Sequence, residues 1–171
     1  QAVQGPPGVA VSALAATSLS GGLLFTGATD GSVSAWNLSD RPGMVVRTLK
    51  CDKAVTALQL VNDVTLATAS ADGKVLLWDM RRPQTPQHTI IPDGHACTHL
   101  ETSPAGDCVA VATARGLYAI DLLDPGHAVS TVVTGLPRAY LGVTWNLSTT
   151  EIYAAAASGE ITVYRQRGYG Y

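Results

Sequence analysis

The sequence is short of charge, since Asp, Glu, Lys and Arg make up only 14% of its 171 residues. Soluble domains usually have about 25% charged residues. We therefore expect much of the surface to be covered, either by the chain's own neighbours or by another chain. The chain also lacks any block of Lys and Arg, and its net charge is −2. Because nucleic acids are bound through basic surfaces, direct nucleic-acid binding is not expected.

Long apolar runs and disulfide patterns are missing as well. No run approaches the roughly 20 residues that a membrane-spanning helix needs, so membrane insertion is not expected. The three cysteines, Cys51, Cys97 and Cys108, lack CxxC spacing. An odd number of cysteines without a framework favours a reducing, intracellular compartment, either cytoplasm or nucleus. With 46% hydrophobic residues the chain can still fill a core.

A strand–turn–strand pattern recurs four times. The copies are LLFTGATDGSVSAWNL (23–38), TLATASADGKVLLWDM (65–80), CVAVATARGLYAIDL (108–122) and IYAAAASGEITVYRQ (152–166). Their turn glycines are 42, 43 and 43 residues apart, at Gly31, Gly73, Gly116 and Gly159. Glycine accepts the positive φ of a tight hairpin turn. The pattern therefore predicts four copies of one hairpin.

Further short strands are predicted around the hairpins. An apolar strand precedes each hairpin, at 11–17, 54–60, 96–102 and 140–146, and a more polar strand follows the first three, at 44–50, 87–91 and 128–134. No segment has a helical period. Four strands in about 40–45 residues are typical of one blade of a β-propeller. The prediction is an all-β propeller with blades at 9–50, 51–92, 93–135 and 136–166, the last without its outer strand, between an extension (1–8) and a tail (167–171).

These repeats resemble the WD40 family, whose blades often end in Trp-Asp. Trp78-Asp79 is a full match, Trp36-Asn37 is a near match, and Gly94-His95 matches a Gly-His dipeptide that precedes a first strand in the family. The resemblance implies a buried hydrogen-bond network in which a His, a Ser or Thr, a turn Asp and the Trp hold a blade together. No single copy carries the complete set; the candidates for this structural role are Asp30, Trp36, Ser70, Asp72, Trp78 and His95.

Four blades are fewer than the six to eight that are usual in this family, so apolar blade faces are expected to be left bare. Three explanations are open, in decreasing order of expectation. The blades belong to a longer protein, they form a half-ring completed by a second chain, or they close into a compact ring of their own.

The resemblance also implies two rims. Turns between second and third strands share one rim with the loops that enter the first strands, and in the family this rim commonly binds partners. Here it carries Asp30, Asp52 and Asp72 and the candidate partner-binding residues Lys53, Lys74, His95, Arg115, Arg138 and Glu160. Mixed charge suits polar contacts with other proteins. We predict a non-catalytic interaction scaffold in a large intracellular assembly, with other proteins as partners and, in one alternative, a chain that completes the propeller.

The opposite rim offers an alternative function. Trp78-Asp79-Met80-Arg81, followed by Arg82, resembles the WDxR element through which some WD40 proteins dock onto the adaptor of cullin-type ubiquitin ligases. Guanidinium presents a fork of donors that suits such docking. In this alternative the protein is a substrate receptor, and Asp79, Arg81 and Arg82 contact the adaptor.

Metal binding and catalysis have little support. His95, Cys97 and His99 share one face if they lie on a regular strand, and imidazole and thiolate are zinc ligands. However, this segment is a predicted first strand, where a buried apolar Cys97 is expected. There is also no nucleophile elbow, phosphate-binding loop or dinucleotide-binding motif. We therefore predict no metal, no cofactor and no enzymatic activity.

Overall fold

The first repeat forms a four-stranded antiparallel sheet. The computed structural model describes residues 8–17, 22–39, 43–124, 126, 129–131, 138–147 and 151–165. The strands of the first repeat are β1 (Val11–Ala16), β2 (Leu23–Ala28), β3 (Ser32–Asn37) and β4 (Met44–Lys50). They lie side by side in chain order. We call this sheet blade 1.

The next two repeats form sheets of the same order. Blade 2 comprises β5 (Val55–Leu60), β6 (Thr65–Ser70), β7 (Val75–Asp79) and β8 (His88–Ile90), and blade 3 comprises β9 (Cys97–Thr102), β10 (Cys108–Thr113), β11 (Leu117–Asp121) and β12 (Val129–Thr131). Within the described residues blade 4 has three strands, β13 (Tyr140–Trp145), β14 (Glu151–Ala156) and β15 (Ile161–Arg165). The described ranges contain no helix. Most of the predicted extension, the predicted tail, and residues 128 and 132–134 of the predicted outer strand lie outside these ranges.

The four sheets follow one another as propeller blades. Their first strands contact each other in sequence, β1 with β5, β5 with β9 and β9 with β13, whereas β4, β8 and β12 lie at the outer edges. The blades do not close into a ring, because Leu14 in β1 and Leu141 in β13 are each 63% exposed. This arrangement confirms the predicted all-β propeller with an incomplete ring. The four blades do not close into a compact ring of their own.

Apolar clusters fill the space between successive blades. Successive residues of a strand point to opposite faces of its sheet. In β6, for example, Leu66 packs in the cluster between blades 1 and 2, whereas Ala67 packs in the cluster between blades 2 and 3. A third cluster, around Tyr140 and Trp145, joins blades 3 and 4. Blades 2 and 3 are thus packed on both faces, which fixes the loops at their ends.

Each first strand has a bulge next to its opening residue. In β9, Cys97 pairs with Thr113 while His99 pairs with the adjacent Ala112, so one residue is extra. Thr113 and Ala112 are adjacent on β10 and therefore point to opposite faces, so their partners Cys97 and His99 also point to opposite faces. Cys97 accordingly packs in the cluster between blades 2 and 3, together with Ala57 and Leu100. The expectation that His95, Cys97 and His99 share one face is wrong, because it assumed a regular strand.

The hairpin turns confirm three of the four predicted glycine conformations. Gly31, Gly73 and Gly159 have φ values of 87°, 81° and 87°. Gly116 is not among the glycines of positive φ, and the turn between the paired residues Ala112 and Leu117 is one residue shorter than the corresponding turns of the other blades. There the Thr113 hydroxyl accepts hydrogen bonds from the backbone N–H groups of Arg115 and Gly116, at 3.1 and 2.9 Å. A side chain closes this turn in place of a left-handed glycine.

Candidate interaction rim

Turns and loops of adjacent blades touch along one rim, which we call the upper rim. A Cβ added to Gly31 would lie 2.5 Å from the carbonyl oxygen of Cys51, in the loop that enters blade 2. A Cβ added to Gly73 would lie 2.7 Å from the carbonyl carbon of Gly94, in the loop that enters blade 3. At the third junction, the Arg138 N–H donates to the Arg115 carbonyl at 3.1 Å. The upper rim is therefore one continuous surface across four blades.

Charged side chains on the upper rim form ion pairs with one another. Lys74 Nζ lies 2.5 Å from Asp52 Oδ2 and 3.3 Å from Asp72 Oδ2. The hydrogen bond to Asp52, followed by that to Asp72, raises the pKa of Lys74. Burial acts to raise the pKa of Asp72, but hydrogen bonds from Ser70 and Lys74 leave it lowered overall. Lys74 thus links the loop that enters blade 2 to the turn of blade 2.

The two outer blades have ion pairs of the same kind. In blade 1, Lys50 Nζ donates to the Asp30 carbonyl oxygen at 2.7 Å and lies 3.7 Å from the Asp30 carboxylate. In blade 4, Arg138 pairs with Glu160. These contacts hold long, exposed side chains in place on the rim.

Blade 3 places His95 beside Arg115. The Thr113 hydroxyl donates to Asp93 Oδ2 at 2.7 Å, and the His95 N–H donates to Asp93 Oδ1 at 2.9 Å. His95 Nε2 lies 3.4 Å from Arg115 Nη1, so the ring turns towards the exposed guanidinium. In this blade the Thr113 hydroxyl therefore donates its hydrogen bond to Asp93, which lies two residues before His95.

The structure divides the expected buried network into separate contacts. The Ser70 hydroxyl donates to Asp72 Oδ1 at 2.5 Å, but Trp78 Nε1 donates to Thr68 at 3.0 Å. Cys51 Sγ lies 3.6 Å from the same Thr68 hydroxyl. Sequence reasoning missed Thr68, although the spacing was a usable signal. Thr26 also lies ten residues before a tryptophan, and its hydroxyl accepts from Trp36 Nε1 at 2.9 Å.

The lower rim, at the opposite ends of the strands, carries the WDxR segment. Arg81 Nε donates to Asp79 Oδ1 at 2.9 Å and Arg81 Nη2 donates to Asp79 Oδ2 at 2.7 Å. These hydrogen bonds lower the pKa of Asp79 to about 2. The Arg81 side chain is 70% exposed, and Arg82 beside it is also exposed. Arg47 of β4 donates to the Met80 carbonyl, which links blade 1 to this segment.

The described ranges show neither a metal-binding group nor an accessible thiol. They contain no group of three or more His, Cys, Asp or Glu residues that could hold a metal ion. Cys51, Cys97 and Cys108 are free and buried, and burial raises the pKa of both Cys97 and Cys108 to about 12. Among these residues, no helix is long and apolar enough to cross a bilayer.

Comparison with known proteins agrees with the repeats and the blades. The family model "WD domain, G-beta repeat" matches residues 43–79. Among curated Arabidopsis thaliana proteins, Periodic tryptophan protein 2 is 35% identical over 92 residues, and Protein SPA1-RELATED 3 is 30% identical over 102 residues. These matches cover 53% and 58% of this chain but only 10% and 12% of the relatives. The chain thus matches about a tenth of the length of these relatives.

Solved structures show the same fold. The computationally designed Ika4 protein matches with a TM-score of 0.79 and 22% identity, over 96% of both chains. The C-terminal WD40 domain of Sif2 matches with a TM-score of 0.71 and 22% identity, over 85% of this chain and 43% of that one. The arrangement of the sheets defines a β-propeller protein. Residues 43–79 in addition match the WD-repeat model, and WD40 propellers are generally non-catalytic scaffolds for protein interactions.

Proposed function

We propose that this chain is a non-catalytic scaffold that binds partner proteins through its upper rim. The observation that carries the proposal is the continuity of this rim, on which the turn of one blade touches the entry loop of the next at three successive junctions. Loops held by a rigid scaffold are where proteins commonly place binding residues. Several weak polar contacts from distant parts of the sequence can then act together on one partner.

The candidate contact residues are charged or polar and accessible. Lys53 and Arg115 are exposed, and Arg138 is exposed beside its partner Glu160. Lys74 and His95 are half-buried between neighbouring loops. Because both signs alternate along the rim, it favours a polar protein surface over a nucleic-acid backbone, which requires sustained positive charge. We expect this partner to belong to a large assembly.

An intracellular location, in cytoplasm or nucleus, is part of the same proposal. The three cysteines are free and buried in three different apolar clusters. Free thiols persist in reducing compartments, whereas secreted domains generally pair them. The thiol chemistry thus supports a partner from inside the cell.

The alternative of adaptor docking is less well supported. It requires the Arg81 guanidinium to reach another protein, but its Nε and Nη2 donors are directed to Asp79. Docking would have to break or share this pair. We therefore use Arg81 as a discriminating position in the experiment and keep the upper rim as the proposed site.

Quantitative affinity capture from cell extract tests the proposal. We would compare the unchanged chain with Lys53→Glu/Arg115→Glu on the upper rim and with Arg81→Ala and Arg82→Glu on the lower rim. All four positions are exposed, so circular dichroism is expected to show intact folding. The proposal predicts that partners are lost only with the upper-rim variant. Loss with Arg81→Ala alone would instead support the ubiquitin-ligase alternative.

A further inference from the structure

The loop between β7 and β8 at the lower rim carries an exposed threonine. This loop, which we call the β7–β8 loop, covers residues 80–87 and has the sequence MRRPQTPQ. Thr85 lies in it and is exposed, and its hydroxyl makes no hydrogen bond with any residue in the described part of the chain. The hydroxyl is therefore accessible to another macromolecule.

The backbone of the β7–β8 loop is anchored on either side of this threonine. The Arg82 N–H donates to the Asp79 carbonyl oxygen at 2.9 Å, and the Gln87 N–H donates to the Leu77 carbonyl oxygen at 2.8 Å. Between these two anchors, residues 83–86 make no backbone hydrogen bond to the described ranges. Such a segment opens locally at little cost in free energy, so an enzyme can take it up without disturbing blade 2.

Pro86 determines which enzymes can recognise this threonine. A proline biases the residue before it towards extended backbone conformations and away from helical ones, and here that residue is Thr85. Proline also lacks the backbone N–H that any other residue would present after the acceptor. A kinase that accepts this segment must bind the position after the acceptor without using that N–H, and this property distinguishes proline-directed protein kinases.

The sequence has one other hydroxyl residue followed by proline, Ser103-Pro104, and its setting is the opposite. Ser103 is 8% exposed, and its hydroxyl donates to Asp107 Oδ1 at 2.6 Å. The same oxygen accepts hydrogen bonds from the backbone N–H groups of Asp107 and Cys108, at 3.2 and 3.1 Å. Both dipeptides carry the same sequence signal, but only the Thr85 hydroxyl is accessible in the folded chain.

Two arginines of the same loop suit a phosphate at this position. Arg81 and Arg82 precede Thr85 by four and three residues, and both are exposed. Phosphothreonine carries a charge of about −1.5 to −2 and three strong acceptor oxygens. Guanidinium groups bind phosphate through charge-assisted hydrogen bonds, so a phosphate here would offer Arg81 an acceptor in addition to Asp79.

We propose that Thr85 is phosphorylated by a proline-directed protein kinase. The Thr85 hydroxyl oxygen attacks the γ-phosphorus of ATP, a new P–O bond forms as the bond to the β–γ bridging oxygen breaks, the hydroxyl proton passes to a base of the kinase, and ADP leaves. The phosphate reduces the positive charge that Arg81 and Arg82 give the lower rim. This proposal is independent of partner binding at the upper rim, because none of the residues proposed to contact partners lies in this loop.

Phosphorylation of the purified 171-residue chain tests the proposal. The chain is incubated with ATP and either a cyclin-dependent or a mitogen-activated protein kinase, and mass spectrometry counts and locates the phosphoryl groups. We expect a single phosphoryl group per chain, at Thr85, and none at Ser103. Thr85→Val should abolish the modification. Thr89→Val, at an exposed threonine of β8 that no proline follows, is the matched control and should leave it unchanged.

Pro86→Ala tests the class of kinase separately from the acceptor. The variant keeps the Thr85 hydroxyl but restores an N–H after it, so the rate of modification should fall at least about tenfold. An unmodified Thr85, under conditions in which both kinases modify their standard peptide substrates, would overturn the proposal. Equal modification of Ser103 and Thr85, or a Pro86→Ala rate equal to that of the unchanged chain, would also overturn it.

Discussion

Trp78 Nε1 donates a 3.0 Å hydrogen bond to the hydroxyl of Thr68, and both side chains are almost completely buried. Trp36 and Thr26 form the same contact in blade 1, at 2.9 Å, but Thr26 is only half-buried. One contact is thus enclosed between two blades, while the other lies in blade 1, where Leu14 is 63% exposed. This pair of sites allows the contribution of blade packing to be measured.

Thr68→Val is expected to destabilise the chain more than Thr26→Val. Valine leaves the buried Trp78 N–H without its acceptor, and a buried unsatisfied donor costs about 1–3 kcal/mol. At Thr26 the hydroxyl is nearer to water, which can replace it in part. The free energies of unfolding from urea titrations of the two variants provide the measurement. Equal losses would show that the enclosed setting of Thr68 has no effect.

Gly73→Ala is expected to lower the free energy of unfolding of the chain more than Gly159→Ala does. Both glycines have positive φ, at 81° and 87°, and left-handed strain alone costs an alanine about 1–2 kcal/mol. An added Cβ at Gly73 would also lie 2.7 Å from the Gly94 backbone, whereas at Gly159 nothing lies within 4 Å. Urea titration should therefore show a further loss of about 1–3 kcal/mol at Gly73. A loss no larger than that at Gly159 would contradict the close contact between blades 2 and 3.

The Asp79 carboxyl is expected to titrate far below an ordinary aspartate. Its pKa is lowered from 3.8 to about 2, chiefly by the hydrogen bond from Arg81. A lowered pKa in the folded state means that the pair stabilises the fold above about pH 4, and that this stabilisation is lost as the pH falls towards 2. Carboxyl carbon shifts followed by NMR should give a midpoint near 2, and Arg81→Gln should move it up towards 3.8. An unchanged midpoint in that variant would show that Arg81 is not the cause.

The three thiols are expected to resist modification in the folded chain. Cys51, Cys97 and Cys108 are at most 6% exposed, and burial raises the pKa of all three. Thiolate is the reactive form, so both access and ionisation are restricted. A thiol-reactive dye should label them only as fast as the chain unfolds, with complete labelling in urea. Rapid labelling of one thiol without denaturant would place that cysteine outside the apolar clusters.

Much of the fold could be predicted because its signals are local and repeated. Turn glycines 42 and 43 residues apart and alternating apolar strands predicted sheets that the structure confirms. The bulges of the first strands could not be predicted in this way, because nothing in the amino-acid composition marks the extra residue. That is why Cys97 and His99 fall on opposite faces against expectation.

The candidate site could be predicted only in outline. Its loops follow from the repeat, but its pairs depend on how each entry loop folds against the turn of its blade, as with Lys74 and Asp52, which are 22 residues apart. The acceptor of Trp78 was missed for a related reason. The resemblance pointed to the Ser of the second strand, yet the register places Thr68 opposite Leu76 and within reach of the indole.

Cross-linking of the captured assembly tests the central claim, that partners bind the upper rim. Lys50, Lys53 and Lys74 are the only lysines of the chain, and all three lie on that rim. An amine-reactive cross-linker followed by mass spectrometry should join partner peptides to Lys53 and Lys74. A carboxyl-reactive reagent, which also reaches Asp121 and Asp124 at the lower rim, serves as the comparison. Partner cross-links from these aspartates, with none from Lys53 or Lys74, would contradict the account.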